Sequence, residues 1–175
     1  MTASQRLFFA LWPEQRIRQQ LISVQNSLTV SGRLVMPENL HVTLSFLGNV
    51  SSDTRLILLE QAAALTELTA FTLVFDAIQF WPTSGAVCLT TRAIPEMIVL
   101  MAEKLNRLAR GLGLNDDTRP YQPHVTLARD SSKIEALSLI QPITWSATHF
   151  CLVESCVNSK GVIYQVIQEW PLDKR

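Results

Sequence analysis

The sequence predicts an α+β protein with two related halves. Strand-like and helix-like segments mix without a regular alternation, which favours α+β over a doubly wound parallel sheet. The tetrapeptide HVTL occurs twice, at residues 41–44 and 124–127, 83 residues apart in a chain of 175. A repeat at close to half the chain length indicates duplicated lobes, which would place two equivalent histidines across one cleft.

The first quarter of the chain predicts a strand, a helix and a short strand. Residues 6–11 (RLFFAL) read as a strand that Pro13 ends. Residues 13–29 have the apolar spacing of a helix, with Ile17, Leu21, Val24 and Leu28 on one stripe. Residues 33–36 are a short strand candidate, and residues 37–39 (PEN) interrupt the chain after it.

Residues 40–47 form the strand that carries the first motif, and Gly48-Asn49 is a turn signal at its end. Residues 51–53 (SSD) are expected to cap a helix that runs to about residue 68. Residues 72–80 alternate as a strand does, and residues 86–91 form another strand.

The second half follows a similar order. Pro95 is expected to open a helix to about residue 112, with Ile98, Met101, Leu105 and Leu108 on one stripe. Residues 111–120 are a polar loop, and residues 123–128 form the strand of the second motif. The closing antiparallel pair is predicted over residues 143–154 and 162–170, joined through the turn at 158–161.

Composition limits the classes of protein that fit. Hydrophobic residues make up 47% and charged residues 17%, enough apolar material for a core. The length suits one compact domain over residues 1–175, or two small lobes that share a site. Fifteen basic and fifteen acidic residues cancel. A protein that coats duplex nucleic acid usually carries a basic excess, but this balance leaves room for a small site that holds one RNA end.

Cellular context is inferred from what the sequence lacks. Three cysteines, Cys88, Cys151 and Cys156, form neither a disulfide framework nor a metal pattern. The N-terminal apolar stretch is too short for a signal peptide, and no run approaches the roughly 18 apolar residues of a membrane span. We therefore expect a soluble cytoplasmic protein without a membrane partner.

The repeated motif suits catalysis by two histidines. Side chains alternate along a strand, so His41 shares a face with Thr43, and His124 shares a face with Thr126. Each polar pair can line a cleft while the Val and Leu between them pack inward. Two imidazoles can act as general base and general acid near neutral pH. The alternative is chance repetition of a strand pattern that contains a buried histidine.

Together with their flanks, the two motifs resemble the two-histidine (2H) phosphoesterase superfamily. The resemblance is closest to the bacterial RNA 2′,3′-cyclic phosphodiesterases, historically called 2′–5′ RNA ligases. It rests on residues 37–48 (PENLHVTLSFLG) and 123–129 (PHVTLAR). The terminal strands of the family also have counterparts in this chain, at residues 6–11, at residues 153–155, and at Gly161 and Tyr164.

The resemblance implies a bilobal α+β fold of pseudo-twofold symmetry, with antiparallel sheets lining a central cleft and helices outside. It implies hydrolysis of RNA 2′,3′-cyclic phosphate ends to 2′-phosphates, and reversible 2′–5′ ligation with 5′-hydroxyl ends. No metal, ATP or other cofactor is expected. Single-stranded RNA ends or tRNA fragments would be the substrates, and a self-contained site suggests a monomer.

Roles for the site residues follow in part from the family. The resemblance makes His124 the base that activates water and His41 the acid that protonates the departing 3′-oxygen, although the residues alone do not order them. Thr43 and Thr126 can donate hydrogen bonds to the non-bridging phosphate oxygens, or they are simply good strand formers.

Substrate contacts are less defined. Arg129 suits a phosphate or a base, but strict alternation places it on the face opposite His124, and a solvated arginine is the alternative. Phe8 is a candidate for stacking on a base, and Tyr121 is a candidate for stacking or hydrogen bonding, with core packing as the alternative for both. The motif is absent around His149, which is expected at the surface or in the core, and packing roles are expected for Trp81, Trp145 and Trp170.

Two rival functions remain open at this stage. One is a non-catalytic nucleotide-binding module on the same fold, which loss of either histidine would favour. The other is a metalloprotein that uses His41 and His124 as ligands, and it ranks last because Cys, Asp and Glu are missing at ligand spacing.

Overall fold

A computed structural model describes residues 4–65, 68–114, 117–133, 141–159 and 161–173. Within these ranges the helices are α1 (Gln15–Asn26), α2 (Ser52–Ala63) and α3 (Glu96–Gly111). The strands are β1 (Ser4–Leu11), β2 (Arg33–Leu34), β3 (Val42–Ser51), β4 (Phe71–Phe75), β5 (Ala77–Trp81), β6 (Ala86–Thr90), β7 (His124–Arg129), β8 (Ile143–Ala147), β9 (His149–Asn158) and β10 (Gly161–Pro171). A 3-10 turn, Pro37–Asn39, precedes β3.

One large sheet carries most of the strands and confirms the α+β class. Its order is β10-β9-β1-β3-β7-β6-β5, with β2 also paired to β7. All of these pairings are antiparallel. A second, two-stranded sheet pairs β4 with β8. The order places β9 and β10, from the end of the chain, beside β1 and β3 from its beginning.

The two motif strands meet in the centre of the large sheet. β3 and β7 pair antiparallel through the register Val42↔Val125. These valines occupy the same position in the two HVTL copies, so a local twofold axis passes between them. A single register pair joins the two halves of the sheet, and strands on either side of it diverge into the two halves.

Buried hydrogen bonds connect each long helix with the motif strand of the opposite half. Gln25 on α1 is buried, and its Nε2 donates to the Leu127 carbonyl at 2.8 Å on β7. Ser45 on β3 donates through its hydroxyl to Asn106 Oδ1 on α3 at 2.6 Å. A polar group buried without a partner costs about 1–3 kcal/mol, so these bonds favour one placement of each helix.

The predicted apolar stripes of the two helices are mostly core, although Leu28 lies beyond the end of α1 and both Leu28 and Leu108 are only partly buried. Ile17, Leu21 and Val24 of α1 are buried, as are Ile98, Met101 and Leu105 of α3. They pack in one cluster with the inward-facing Val and Leu residues of both motifs. No helix among the described residues is long and apolar enough to cross a membrane.

Two predicted strands are in fact pairs of strands in different sheets. The segment predicted as one strand over 72–80 breaks at Asp76, whose backbone N–H donates to the Thr90 carbonyl at 3.1 Å. β4 before it belongs to the small sheet and β5 after it to the large one. The segment predicted over 143–154 breaks at Thr148 in the same way, between β8 and β9. Continuous β propensity does not reveal the sheet to which each part pairs.

Two element ends also differ from prediction. The strand predicted to end at Gly48-Asn49 continues to Ser51, because Gly48, at φ +73°, sits at a register shift and keeps pairing with Leu7. Helix α2 begins as expected, where the Ser51 hydroxyl accepts from the Thr54 backbone N–H at 3.2 Å, but it ends at Ala63. The turn expected at 158–161 is confirmed at both strand ends, although residue 160 lies outside the described residues.

Candidate active site

The β3–β7 pairing brings the four motif side chains to one face of the sheet. Extending the Val42↔Val125 register by one residue in each direction places His41 level with Thr126, and Thr43 level with His124. All four side chains are half-buried, whereas the intervening Val42 and Val125 are buried on the other face. Each histidine therefore faces the threonine of the opposite motif.

Both imidazoles are oriented by equivalent hydrogen bonds. His41 Nδ1 lies 2.6 Å from the Asn39 carbonyl oxygen, and His124 Nδ1 lies 2.9 Å from the Gln122 carbonyl oxygen. A carbonyl oxygen only accepts, so each Nδ1 carries a proton in the neutral and in the charged ring. That leaves Nε2 of each ring as the atom that takes up or releases a proton.

Aromatic rings enclose His41. Trp12 stacks on the imidazole at a centroid distance of 5.7 Å, and Phe8 lies 5.0 Å away. The ring of Tyr164 meets His41 edge-on at 5.2 Å. These contacts fix the plane of the imidazole and remove most of its water.

The pKa of His41 is lowered to about 4, mainly because burial disfavours the charged ring. The hydrogen bond to the Asn39 carbonyl acts in the opposite direction, and the positive charges of His124 and Arg129 lower the pKa further. Burial also lowers the pKa of His124, again with a contribution from the Arg129 charge. Both imidazoles are therefore mostly neutral at pH 7 in the free protein.

The two motif threonines have different partners. Thr43 Oγ1 lies 3.0 Å from His41 Nε2. Because Nδ1 holds the proton of the neutral ring, the Thr43 hydroxyl donates this bond. Thr126 pairs with the buried Cys88 across the β6–β7 ladder; burial raises the pKa of the Cys88 thiol to about 11, and the Thr126 side chain acts in the opposite direction. Both hydroxyls lie beside a histidine and can rotate to donate to an anion in the cleft.

Arg129 reaches the cleft because β7 contains a β-bulge. Val87 pairs with Ala128, but the next residue, Cys88, pairs with Thr126, so Leu127 is an extra residue in the ladder. Leu127 and Ala128 are consequently both buried, and Arg129 returns to the face of Thr126. Its charge acts on both histidines. Strict alternation, which placed Arg129 on the opposite face, was wrong at this point.

Asn39 is a positioning residue that the sequence pattern does not single out. Its side chain is buried, with Nδ2 donating to the Val162 carbonyl at 2.8 Å and Oδ1 accepting from the Tyr164 backbone N–H at 3.0 Å. These bonds attach the 3-10 turn to β10, and the carbonyl of the same residue orients His41. The sequence showed only a polar residue in a turn before the motif.

The two aromatic candidates for substrate contact differ in exposure. The Phe8 side chain is 3% exposed and packs with Ala10, Cys151 and Val153, which corresponds to the core-packing alternative. Tyr121 is half-buried beside the cleft, and its hydroxyl donates to the Thr43 carbonyl at 2.8 Å. Burial raises the pKa of Tyr121, so it stays a neutral donor that supports the first motif strand.

The structure also shows the positions of the other tryptophans and of the third histidine. Trp145 is buried in the core as expected, and Trp170 stacks on Phe150 at 5.0 Å. Trp81, for which a packing role was expected, is half-buried, and its ring meets that of His124 edge-on at 4.6 Å. His149 is exposed and hydrogen-bonds Thr148, as the surface alternative required.

The cleft extends into a cavity beside each histidine. His41 lines a smaller cavity of about 220 Å³ with residues of β2 and β10, while His124 lines a larger cavity of about 530 Å³. Thr126 and Arg129 line both. Among the described residues there is no group of three or more His, Cys, Asp or Glu side chains arranged to hold a metal ion.

This geometry agrees with a known family. Residues 15–156 match the family described as the 2′-5′ RNA ligase superfamily. The chain belongs to that superfamily. Both HVTL motifs, and with them the entire β3–β7 junction, fall inside the matched region.

Curated relatives and solved structures agree along nearly the whole chain. The RNA 2′,3′-cyclic phosphodiesterase of Escherichia coli (strain K12) is 34% identical over 177 residues, which cover 98% of this chain and 99% of that protein. A protein of the same name from Methanocaldococcus jannaschii is 27% identical, covering 94% of this chain and 99% of that one. The crystal structure of E. coli LigT complexed with 3′-AMP has 34% identity and a TM-score of 0.88, covering 97% of this chain and 99% of that chain.

Proposed function

We propose that this protein hydrolyses RNA 2′,3′-cyclic phosphate ends to 2′-phosphates and joins the same ends reversibly to 5′-hydroxyl RNA through 2′–5′ linkages. One observation carries the proposal: two histidines, each with Nδ1 donating to a carbonyl two residues earlier, share one face of the β3–β7 junction. The names of the relatives support the choice of substrate.

The reaction needs two proton transfers on opposite sides of one phosphorus atom. In hydrolysis His124 Nε2 takes a proton from water as the water oxygen bonds to phosphorus. The bond from phosphorus to the 3′-oxygen breaks, and His41 Nε2–H supplies the proton for that oxygen. The product carries a 2′-phosphate and a 3′-hydroxyl, and the net reaction consumes one water. The order of the two histidines comes from the family resemblance.

Charge on the substrate sets up the required protonation states. Both imidazoles are mostly neutral in the free protein because burial lowers their pKa values. A cyclic phosphate brings one negative charge into the cleft, which favours protonation of the ring that must act as the acid. Because the two rings are coupled, the resulting pKa values belong to the pair.

Three side chains are placed to hold the non-bridging oxygens. Thr43 and Thr126 lie level with the histidines, and Arg129 follows Thr126 on the same face. Hydroxyl and guanidinium donors aimed at the oxygens where charge develops stabilise the transition state. The arrangement uses neither ATP nor a metal in the steps proposed here.

The remaining properties of the enzyme are also proposals. We place both halves of the site in one domain over residues 1–175, formed by two interleaved lobes of one chain. A site complete within one chain is compatible with a monomer. Single-stranded RNA ends, including tRNA fragments, are the proposed substrates, and the cytoplasm is the proposed location. Gel filtration tests the oligomeric state and cell fractionation tests the location, both independently of activity.

An oligoribonucleotide that ends in a 2′,3′-cyclic phosphate tests the central proposal. We expect conversion to a 2′-phosphate, with the same rate in the presence of a chelator. Tight binding without turnover would instead indicate a non-catalytic nucleotide-binding module. Loss of turnover with chelator would support a metalloprotein, and a predominantly 3′-phosphate product would indicate a different bond cleavage.

A further inference from the structure

The bulge at Leu127 brings Arg129 to the cleft face, so a group that fixes the bulge also fixes Arg129. An extra residue in a strand is left out of the ladder, and its backbone groups need other partners. The Leu127 carbonyl accepts two hydrogen bonds, one from the Val35 backbone N–H at 2.9 Å and one from Gln25 Nε2 at 2.8 Å. One backbone group and one side chain of α1 therefore hold the bulge.

The Gln25 amide joins the two segments that lead to Arg129. Gln25 Nε2 also donates to the Val35 carbonyl at 2.9 Å, so one amide group bonds both β7 and the residue that follows β2. β2 pairs with β7 next to these bonds, in the register Arg33↔Arg129. Gln25 is only 3% exposed, so solvent is excluded from the amide. Its two donors therefore fix the path of β7 just before Arg129.

We infer that Gln25 is a positioning residue for catalysis: its amide holds the bulge of β7 in the form that keeps the Arg129 guanidinium in the cleft. Gln25 lies on α1 and lines neither cavity of the cleft, so it acts on the substrate only through Arg129. This role rests on the proposed function, in which Arg129 holds a non-bridging oxygen of the cyclic phosphate.

Other bonds near the end of β7 hold the bulge less directly. Arg33 forms an ion pair with Asp130, but the two side chains are 82% and 63% exposed, and exposed ion pairs contribute little to stability. The Ser131 backbone N–H donates to the Gly85 carbonyl at 2.9 Å, which fixes the chain beyond Arg129. Gln25, by contrast, supplies a buried side-chain donor at the bulge itself.

The first half of the chain holds its own bulge in a comparable way. In the β1–β3 ladder the register skips Leu44, which is the extra residue there. The hydroxyl of the next residue, Ser45, donates to Asn106 Oδ1 on α3 at 2.6 Å. A side-chain amide from a helix therefore bonds at or beside the bulge in each motif strand. This repetition indicates that helix-to-bulge hydrogen bonds belong to the design of both halves.

Displacement of Arg129 would also change the titration of the two histidines. Burial is the largest cause of the lowered pKa of His41 and of His124, and the charge of Arg129 lowers both pKa values further. If the bulge relaxes and the guanidinium leaves the cleft, both pKa values rise toward the ordinary histidine value. A general loss of stability has no such effect on the folded molecules.

A double-mutant cycle tests whether Gln25 acts through Arg129. Gln25→Met keeps the length of the side chain and removes both donors, while Arg129→Gln removes the charge. A hydrogen bond from a charged donor is worth about 10- to 150-fold, so Arg129→Gln should lower kcat/KM on a 2′,3′-cyclic oligoribonucleotide by that factor. Gln25→Met should lower it about 10-fold or more, with little further loss in the Arg129→Gln background.

NMR titration of His41 and His124 measures the same displacement without turnover. Both pKa values should rise in Gln25→Met and in Arg129→Gln, and the alkaline limb of kcat/KM should move to higher pH with them. Gln20→Met is the matched control, because it makes the same change on α1 at an amide whose Oε1 has no hydrogen-bond partner in the described part of the chain. It should leave kcat/KM and both pKa values unchanged.

Losses that multiply in the double variant would overturn the inference, as would unchanged histidine pKa values in folded Gln25→Met. Gln25→Leu repeats the test with a different apolar side chain. If urea denaturation shows that neither Gln25 variant folds, the residue serves the core as a whole and the inference is also overturned. Failure of the proposed function is distinguishable, because the wild-type protein would not hydrolyse the cyclic substrate although both pKa values would still rise in Gln25→Met.

Discussion

The buried His41 imidazole should make the stability of the protein fall between pH 7 and pH 5. Its pKa is lowered to about 4 in the folded state, whereas an unfolded chain titrates near the ordinary histidine value of about 6.5. Over this window the unfolded state binds the proton and the folded state does not. Protonation therefore favours unfolding, and the stabilising contribution is fully present only above about pH 6.5.

The lowered pKa sets the size of the effect. Each pKa unit corresponds to about 1.4 kcal/mol, and the pH range from 7 to 5 covers only part of the separation between the two pKa values. We therefore expect His41 to account for a loss of about 2 kcal/mol in the free energy of unfolding over this range. The loss should approach about 3 kcal/mol near pH 4.

Urea denaturation at pH 7 and pH 5 measures the free energy of unfolding directly. His41→Asn is the informative variant, because its amide Nδ2 can keep the hydrogen bond that Nδ1 donates to Asn39. The wild type should lose about 2 kcal/mol more than His41→Asn between the two pH values. The exposed His149 provides a control, His149→Asn, for replacement of a histidine outside the cleft.

Inorganic phosphate links this measurement to the mechanism. An anion in the cleft favours the charged ring, so phosphate at pH 5 should recover more stability in the wild type than in His41→Asn. Equal pH dependence in the wild type and His41→Asn would refute the reasoning. It would mean that the His41 ring titrates in the folded protein as it does in the unfolded chain.

Four further predictions concern catalysis. His41→Ala and His124→Ala should each lower the rate about 10²- to 10⁴-fold with folding retained, and the double variant should lose less than the product of the two; near-normal turnover in either single variant would reject its role. Because burial lowers both histidine pKa values, the acid loses its proton as the pH rises toward 7, and kcat/KM should begin to fall below pH 7. Bound phosphate favours the charged ring, so the corresponding fall in kcat should occur at higher pH. A flat profile from about pH 5 to 9 would assign the imidazoles to phosphate binding alone. A cyclic substrate with sulfur in place of the 3′-oxygen has a less basic leaving group, so it should restore activity to the variant that lacks the acid, His41→Ala, and not to His124→Ala; rescue of the second would reverse the two roles. Gly32→Ala would bring a Cβ to 2.1 Å from the Arg129 carbonyl oxygen, so it should displace the end of β7 and raise KM, and an unchanged KM in a folded variant would remove Arg129 from substrate binding.

The local sequence pattern was sufficient to predict which side chains share a face of one helix or one strand. The stripes of α1 and α3 follow helical spacing, and Ile17, Leu21, Val24, Ile98, Met101 and Leu105 are buried. The alternation within HVTL placed His41 with Thr43 and His124 with Thr126, and these side chains do share a face. Such predictions succeed because the periodicity of one helix or strand determines which side chains point the same way.

Predictions from the sequence were wrong where the position of a residue depends on how its strand pairs with another strand. A bulge is a property of a ladder, and the extra residue Leu127 is visible only from the pairing of β7 with β6. Strict alternation therefore put Arg129 on the face opposite His124, although Arg129 was a candidate for substrate binding. The breaks at Asp76 and Thr148 are of the same kind, because each lies where the chain leaves one sheet for another. The role of Asn39 depends on its hydrogen bonds to β10.

The sequence by itself determined the class of fold, the family and the four motif side chains, because the repeated HVTL tetrapeptide encodes both a strand and its polar face. The tertiary structure decided that the two motifs pair through Val42 and Val125, that burial keeps both imidazoles mostly neutral, and that a bulge returns Arg129 to the cleft. These properties arise between segments that are 83 residues apart. Register, desolvation and the shape of a cleft depend on which surfaces meet in three dimensions, and the local pattern of either segment does not contain that information.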